Sequence, residues 1–257
     1  MNPIVVKIGG STLGNHDTTL EDLVELQKQG ASIVVVHGGA QVSSDWLARL
    51  NIPTSFIKGL RVTDAETLKV VTAVLGGLVN KELVVAIQSL GGKAVGLSGS
   101  DGNLLRAERK SPELGYVGEI VEVDPAPLRL LLEAGYMPVV APISLGSADG
   151  KTMLLNVNGD AAAGEIAAAL AAKKLIFLTD VDGIRNNSEK FIPRLNLTDA
   201  KILIASGIAS GGMIPKIEAC LRALTAVPLA RIIDGTKSHA LLKEMESGEG
   251  GTSIVPE

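Results

Sequence analysis

Two lysines, one aspartate and a set of glycine turns hold the chemistry this sequence can offer. Lys7 lies in Lys7-Ile8-Gly9-Gly10-Ser11, directly after the β-branched run Ile4-Val5-Val6. Glycines let backbone N–H groups approach an anion closely, a following helix N-terminus adds a favourable dipole, and the lysine adds a point charge. An ordinary tight turn uses the same Gly-Gly. Neither G-x-G-x-x-G nor G-x-x-x-x-G-K-[ST] occurs, so dinucleotide and P-loop readings lose their main support. A second turn, His37-Gly38-Gly39-Ala40, follows the apolar run Ile33-Val34-Val35-Val36. Ligands in open α/β sheets sit beyond the carboxyl ends of strands, which lets both turns face one crevice. His37 is a candidate base there, although a strand-end histidine more often holds a loop by hydrogen bonds.

Three further stretches carry polar groups in suggestive places. In Gly59-Leu60-Arg61-Val62-Thr63-Asp64 an arginine beside a helix cap can present its rigid fork to a carboxylate, or simply be an exposed helix-entry charge. In Asn156-Val157-Asn158-Gly159-Asp160, alternation puts Asn156, Asn158 and Asp160 on one side of the chain. Converging polar groups between apolar elements are costly unless they bind something, yet Asn and Asp are also common turn residues. Ser210-Gly211-Gly212-Met213-Ile214-Pro215-Lys216 is a glycine turn entering a helix, with a lysine in its first turns that alone reads as solvated surface.

The elements that must position these residues alternate short β-branched runs with amphipathic helices. Thr18 and Glu21 have the spacing of a capping box opening a helix, whose residues Leu20, Leu23, Val24 and Leu26 keep a 3.6 period up to Gly30. The unbroken run 33–36 reads as a parallel strand covered on both faces, with a helix through Trp46 and Leu47 after it. A long helical pattern starts at Asp64 and passes Leu68, Val71, Leu75, Leu78, Leu83 and Ile87 to Gly91-Gly92. A strand over 94–97 follows, and Pro112-Glu113-Leu114-Gly115 reads as the turn of a hairpin between Leu104 and Val123. A short helix over 127–133, strands over 137–140 and 153–155, and an alanine-rich helix over 161–172 lead to the apolar strand 175–178. Helices over 199–206, 213–226 and 238–245, with strands over 231–233 and 251–255, complete the chain. No linker, charge block or repeat divides it. It reads as one α/β domain, with functional lobes over about 1–155 and 156–257.

Composition removes several function classes. The 257 residues carry 24 Lys plus Arg against 28 Asp plus Glu, and the aromatics are three Phe, two Tyr and one Trp. Nucleic-acid binding needs a basic face and stacking platforms, so no nucleic-acid partner is expected. The single Cys220 excludes an intrachain disulfide and a Cys-based zinc site. Lys7 and Gly9 interrupt the first apolar run and Glu165 the longest alanine-rich one, so no uninterrupted run approaches the ~20 residues of a membrane span. A cytoplasmic protein is expected.

The motifs together, with Val79-Asn80-Lys81 and Gly92-Lys93-Ala94-Val95-Gly96-Leu97-Ser98-Gly99, resemble the amino acid kinase family over nearly the whole chain. The resemblance implies a three-layer αβα sandwich around a largely parallel, about eight-stranded sheet, the N-terminal half binding an amino-acid derivative and the C-terminal half ATP. The branch it points to phosphorylates the side-chain carboxylate of N-acetyl-L-glutamate in arginine biosynthesis. A carboxylate is already ionised at neutral pH, so the task is positioning and charge neutralisation rather than base catalysis. By resemblance, Lys7 and Lys216 flank the transferring group and Asp160 holds them, while Gly9, Gly10 and Gly38 supply backbone N–H donors. Arg61 clamps the α-carboxylate, and Gly39, Ala40 and Asn156 contact the rest of the substrate. The ATP side includes Thr179, Asp180, Val181, Asp182 and Gly183, with Ile208, Ala209, Ser210 and Gly211. Mg²⁺ arrives on the phosphates with water ligands, so no protein ligand is assigned to it.

A homodimer is expected through the helix over 64–89, because Val70, Val71, Val74, Leu75, Leu78, Val84 and Val85 exceed one apolar stripe. With Met1, Asn2 and Pro3 ahead of the first strand, the extra N-terminal helix that builds arginine-inhibited hexamers in this family is not expected. Ala40 stands where the family usually has a third glycine, which is a strained choice if that position needs positive φ. Two other readings share the motifs. A kinase for aminoadipate or glutamate on an acidic carrier protein needs a basic rim, and only Lys58 and Lys69 flank Arg61. A non-catalytic amino-acid sensor has no need to keep Lys7, Asp160 and Lys216 together.

Overall fold

The computed structural model describes residues 2–9, 18–148, 151–188 and 190–257. Its centre is an eight-stranded sheet in the order Arg194–Asn196, Thr252–Val255, Ala230–Asp234, Lys174–Thr179, Ile4–Ile8, Ile33–His37, Met137–Ala141, Ala94–Ser98. Every neighbouring pair is parallel except Thr252–Val255 on Ala230–Asp234. Unbroken apolar runs build it because both faces are covered. Val5, Val34, Val140 and Phe177 point into one core layer, with Leu128, Ile166 and Ile217 from helices Ala126–Glu133, Gly159–Ala169 and Met213–Ala223. Val6, Val35, Val139 and Ile176 point into the other, with Leu23, Val79 and Leu241 from helices on the opposite side. This is the expected three-layer αβα sandwich around a largely parallel sheet.

The hairpin expected between Leu104 and Val123 is present as Leu105–Arg109 and Val117–Val123, but it belongs to a closed four-stranded barrel with Ile143–Ala148 and Lys151–Val157. The strand Ile143–Ala148 is not evident from sequence, since the short alternation of Ile143 and Leu145 is surrounded by Ser, Gly and Ala, residues of weak strand propensity. Gly146 lies there because a Cβ would overlap the Leu155 side chain that fills the barrel.

The long helix runs over Ala65–Ser89, with Asp64 accepting the Thr67 N–H at 2.7 Å as its cap. Residues Ala73–Val79 form a π-helical segment within it. Contrary to the reading from uninterrupted runs, this helix is long and apolar enough to cross a membrane by length and composition. Lys81 and Glu82 are the only charged residues in its C-terminal two thirds. Val71, Val74, Leu75, Val79, Leu83 and Ile87 are buried in the fold, as in a core helix. The capping box at Thr18 is also corrected. The Thr18 hydroxyl makes no bond to its own helix and instead accepts the His239 N–H at 2.6 Å, a tertiary contact displacing a local one.

Candidate active site

A cavity of about 530 Å³ opens beyond the carboxyl ends of strands Ile4–Ile8 and Ile33–His37. Lys7, Gly38, Gly39, Ala40, Arg61, Asn156 and Asp160, all singled out in the sequence, line it.

Lys7 precedes the last residue of its strand, and Asp160 lies in the first turn of Gly159–Ala169. That helix begins where it does because Asn158 Oδ1 accepts the N–H groups of Asp160 at 2.8 Å and Ala161 at 3.0 Å. Lys7 Nζ is 2.6 Å from Asp160 Oδ1, and Lys216 Nζ is 3.3 Å from Asp160 Oδ2. Lys216 also donates to the Gly212 carbonyl at 3.2 Å across the first turn of Met213–Ala223. One carboxylate therefore holds two ammonium groups from distant segments. Cys220, one turn beyond Lys216, is fully buried, and burial followed by the Asp160 charge pushes its thiol pKa well up.

The other polar wall centres on Arg61, which the small hairpin Phe56–Ile57 and Leu60–Arg61 carries. Its Nη2 donates to Ala40 O at 2.8 Å and to Ser44 Oγ at 2.7 Å, and the guanidinium stacks 4.7 Å from the Phe56 ring centroid. Its Nη1 is buried without a hydrogen-bond partner, as is Ser43 Oγ on the same cavity wall. Burial lowers the arginine pKa. Asn156 Nδ2 donates to Thr63 Oγ1 at 3.2 Å, and Thr63 Oγ1 donates to Arg61 O at 2.8 Å, tying the two cavity residues together. Ser43 was missed. Its only sequence signal is the Ser43-Ser44 pair inside a short helix that neither residue caps.

The glycine turns continue the sheet. Gly38 N–H donates to Ile8 O at 3.0 Å and Gly9 N–H lies 3.4 Å from Leu178 O, each extending the parallel ladder by one residue. Both N–H groups thus face backbone acceptors at the end of the sheet. Gly10 lies outside the described residues. Gly39 needs to be glycine, with φ +149° and room for no Cβ, which would sit 2.6 Å from Leu75 Cδ2. Ala40 is not among the described residues with positive φ. It opens the helix Ala40–Arg49, so the methyl group brings no strain. No described side chain caps that helix, so its first N–H groups have no intrahelical partner.

His37 does not line the cavity. Its ring is buried, hydrogen-bonded to Gly38 O and Asn80, and burial lowers its pKa to about 4. The loop-holding reading replaces that of a base.

The segments assigned to ATP lie apart from this cavity. Thr179 ends the strand Lys174–Thr179, and its hydroxyl takes the Val181 N–H at 3.1 Å, while Asp180 and Val181 are exposed. Asp182 pairs with Arg185 at 2.9 Å, and Gly183 has φ +141° against Thr252. Ile208 is half-buried and Ala209 buried, with the Ala209 N–H on Leu203 O at 3.0 Å. Ser210 O accepts the Met213 N–H at 3.1 Å, and Gly211 has φ +53°. Among the described residues, no three His, Cys, Asp or Glu side chains cluster as metal ligands.

The family model described as "Amino acid kinase family" matches residues 2–234. The chain belongs to the amino acid kinase family. An acetylglutamate kinase of Dehalococcoides mccartyi (strain CBDB1) is 44 % identical over 255 residues, covering 98 % of this chain and 94 % of its own. An acetylglutamate kinase of Caldanaerobacter subterraneus subsp. tengcongensis is 47 % identical over 264 residues, covering 99 % and 87 %. Among solved structures, smu.665 from Streptococcus mutans UA159 superposes with a TM-score of 0.84 at 27 % identity, covering 98 % of each chain. This amino acid kinase is an enzyme with ATP as its co-substrate.

Proposed function

We propose that this amino acid kinase transfers the γ-phosphoryl group of ATP to the side-chain carboxylate of N-acetyl-L-glutamate, giving the acyl phosphate and ADP in arginine biosynthesis. The observation that carries the reading is Asp160 bridging Lys7 and Lys216 on a cavity that also holds the unpartnered Arg61 Nη1. Relatives named acetylglutamate kinase, 44 % and 47 % identical over nearly the full chain, support the substrate.

A carboxylate oxygen of the acceptor bonds to the γ-phosphorus as the bond to the β,γ-bridging oxygen breaks, and that electron pair leaves on ADP. No proton has to be removed from the acceptor. Lys7 and Lys216 neutralise the equatorial charge, and Asp160 keeps them from drifting into solvent. Arg61 takes the α-carboxylate, helped by the Ser43 hydroxyl, with Gly39, Ala40 and Asn156 against the rest of the acceptor. The C-terminal lobe holds the nucleotide through 179–183 and 208–211. Asp160 is the only described carboxylate on the cavity wall, and lysines occupy both of its oxygens. That donor set fits Mg²⁺ entering as MgATP, ligated by phosphates and water.

The same reading includes a cytoplasmic homodimer through the outer face of Ala65–Ser89, where Ala73, Gly77 and Val85 remain exposed. A light-scattering mass of one chain overturns the dimer. For the reaction, ADP release is followed with acetylglutamate, glutamate, aspartate and carbamate in parallel. Release with acetylglutamate alone is expected, and release with carbamate instead overturns the assignment.

A further inference from the structure

Beneath the Gly38-Gly39 turn, two buried polar side chains, His37 and Asn80, and the amine of Lys81 take no part in the phosphoryl-transfer reading. Their hydrogen bonds have only one consistent direction. Lys81 Nζ lies 2.9 Å from Asn80 Oδ1 and 2.9 Å from Gly96 O. An ammonium only donates, so the amide oxygen of Asn80 is the atom that faces it. Asn80 Nδ2 lies 2.8 Å from Val139 O, 3.3 Å from Leu97 O and 3.1 Å from His37 Nε2. The amide nitrogen also only donates, so His37 Nε2 is the bare nitrogen of the ring. The ring proton is then on Nδ1, 2.7 Å from Gly38 O. Gly96 leaves room for the arrangement, since a Cβ there would overlap Asn80 Oδ1.

Gly38 is held at both ends, its N–H by Ile8 O at 3.0 Å and its carbonyl by the ring. The Gly38 carbonyl and the Gly39 N–H belong to one trans peptide and point in opposite directions. Drawing the carbonyl onto a ring outside the cavity turns the Gly39 N–H toward the cavity that Gly39 lines. We propose that Lys81, Asn80 and His37 form a one-way hydrogen-bond chain that aims the Gly39 N–H at the phosphoryl acceptor, with His37 as a positioning residue. This rests on the reading of the cavity as the acceptor site. Burial, and secondarily the Lys7 and Lys81 charges, keeps the imidazole neutral. An imidazolium would donate from both nitrogens and break the direction.

The test has a spectroscopic arm and a kinetic arm. Long-range proton–nitrogen NMR of the wild-type ring at neutral pH should show a protonated Nδ1 and a bare Nε2, and a proton on Nε2 overturns the proposal. His37→Leu should raise the acetylglutamate KM by about tenfold, the worth of one lost hydrogen bond, with the ATP KM unmoved. His37→Asn, whose amide reaches the Nδ1 position, should restore most of that loss. Equal impairment of both variants, or a joint rise of both KM values, overturns it. Should His37→Leu not fold, the ring tautomer of the wild type and the His37→Asn kinetics decide the proposal. A wild-type protein that phosphorylates carbamate instead would remove the functional reading and leave the ring result standing.

Discussion

Gly164 presses its Cα against the backbone of Ala219 so closely that a methyl group would sit 2.6 Å from the Ala219 carbonyl oxygen. This crossing sets the two helices whose first turns carry Asp160 and Lys216. Gly164→Ala must push the helices apart. Overpacking costs on the order of 1–3 kcal/mol, offset by roughly 1 kcal/mol of helix propensity. The expected result is a modest fall in the urea midpoint with a larger fall in kcat, because the Lys216–Asp160 contact opens. A stabilised variant with unchanged kcat would contradict this coupling.

Removing Asp160 leaves Lys7 buried without its counter-charge. Breaking a buried pair from one side costs about 3–5 kcal/mol, so Asp160→Ala should be strongly destabilised in a denaturant titration. Lys216→Met should cost less stability, since the Lys216 side chain is 18 % exposed against 9 % for Lys7. Lys7→Met and Lys216→Met should each lose on the order of 10²-fold in kcat, with smaller changes in either KM. Near wild-type turnover in Lys216→Met would end the two-lysine mechanism.

Arg61→Lys keeps the positive charge but cannot donate along two parallel N–H bonds while stacking on Phe56. Steady-state kinetics should show the acetylglutamate KM rising and the ATP KM holding. A matched rise in both would place Arg61 in the support of the fold.

The buried His37 makes stability depend on pH. Its pKa falls from 6.5 to about 4 on folding, so between those values the unfolded chain binds the proton and the native chain does not. Stability from this group is fully present above the unfolded value and declines as pH falls toward about 4, by up to about 3 kcal/mol. Denaturation midpoints should therefore fall across this window in the wild type and less steeply in His37→Asn. Parallel profiles would contradict the assignment.

The layers of the fold were legible because runs such as 33–36 and 175–178 are apolar on both faces, a pattern that few other structures tolerate. The strand Ile143–Ala148 was not, since Gly146 and its serines take their meaning from Leu155 across the barrel. The π-helical segment was equally hidden, because its pattern of apolar residues matches that of an α-helix. Sequence supplied the types of Lys7, Asp160 and Lys216, but their meeting depends on the Gly164–Ala219 crossing, which no local pattern announces. The backbone partner of the Gly38 N–H was hidden for a related reason. A sheet that continues one residue into the turn takes up its N–H.

Cys220 lies in the second turn of Met213–Ala223, shut off from solvent behind the Asp160–Lys216 contact. It is the only thiol in the chain. The molecule thus carries a built-in clock for the opening of its catalytic helix pair. A thiol reagent added to the native protein reads out how often those helices part, and any ligand that fastens them should lengthen the interval between reactions.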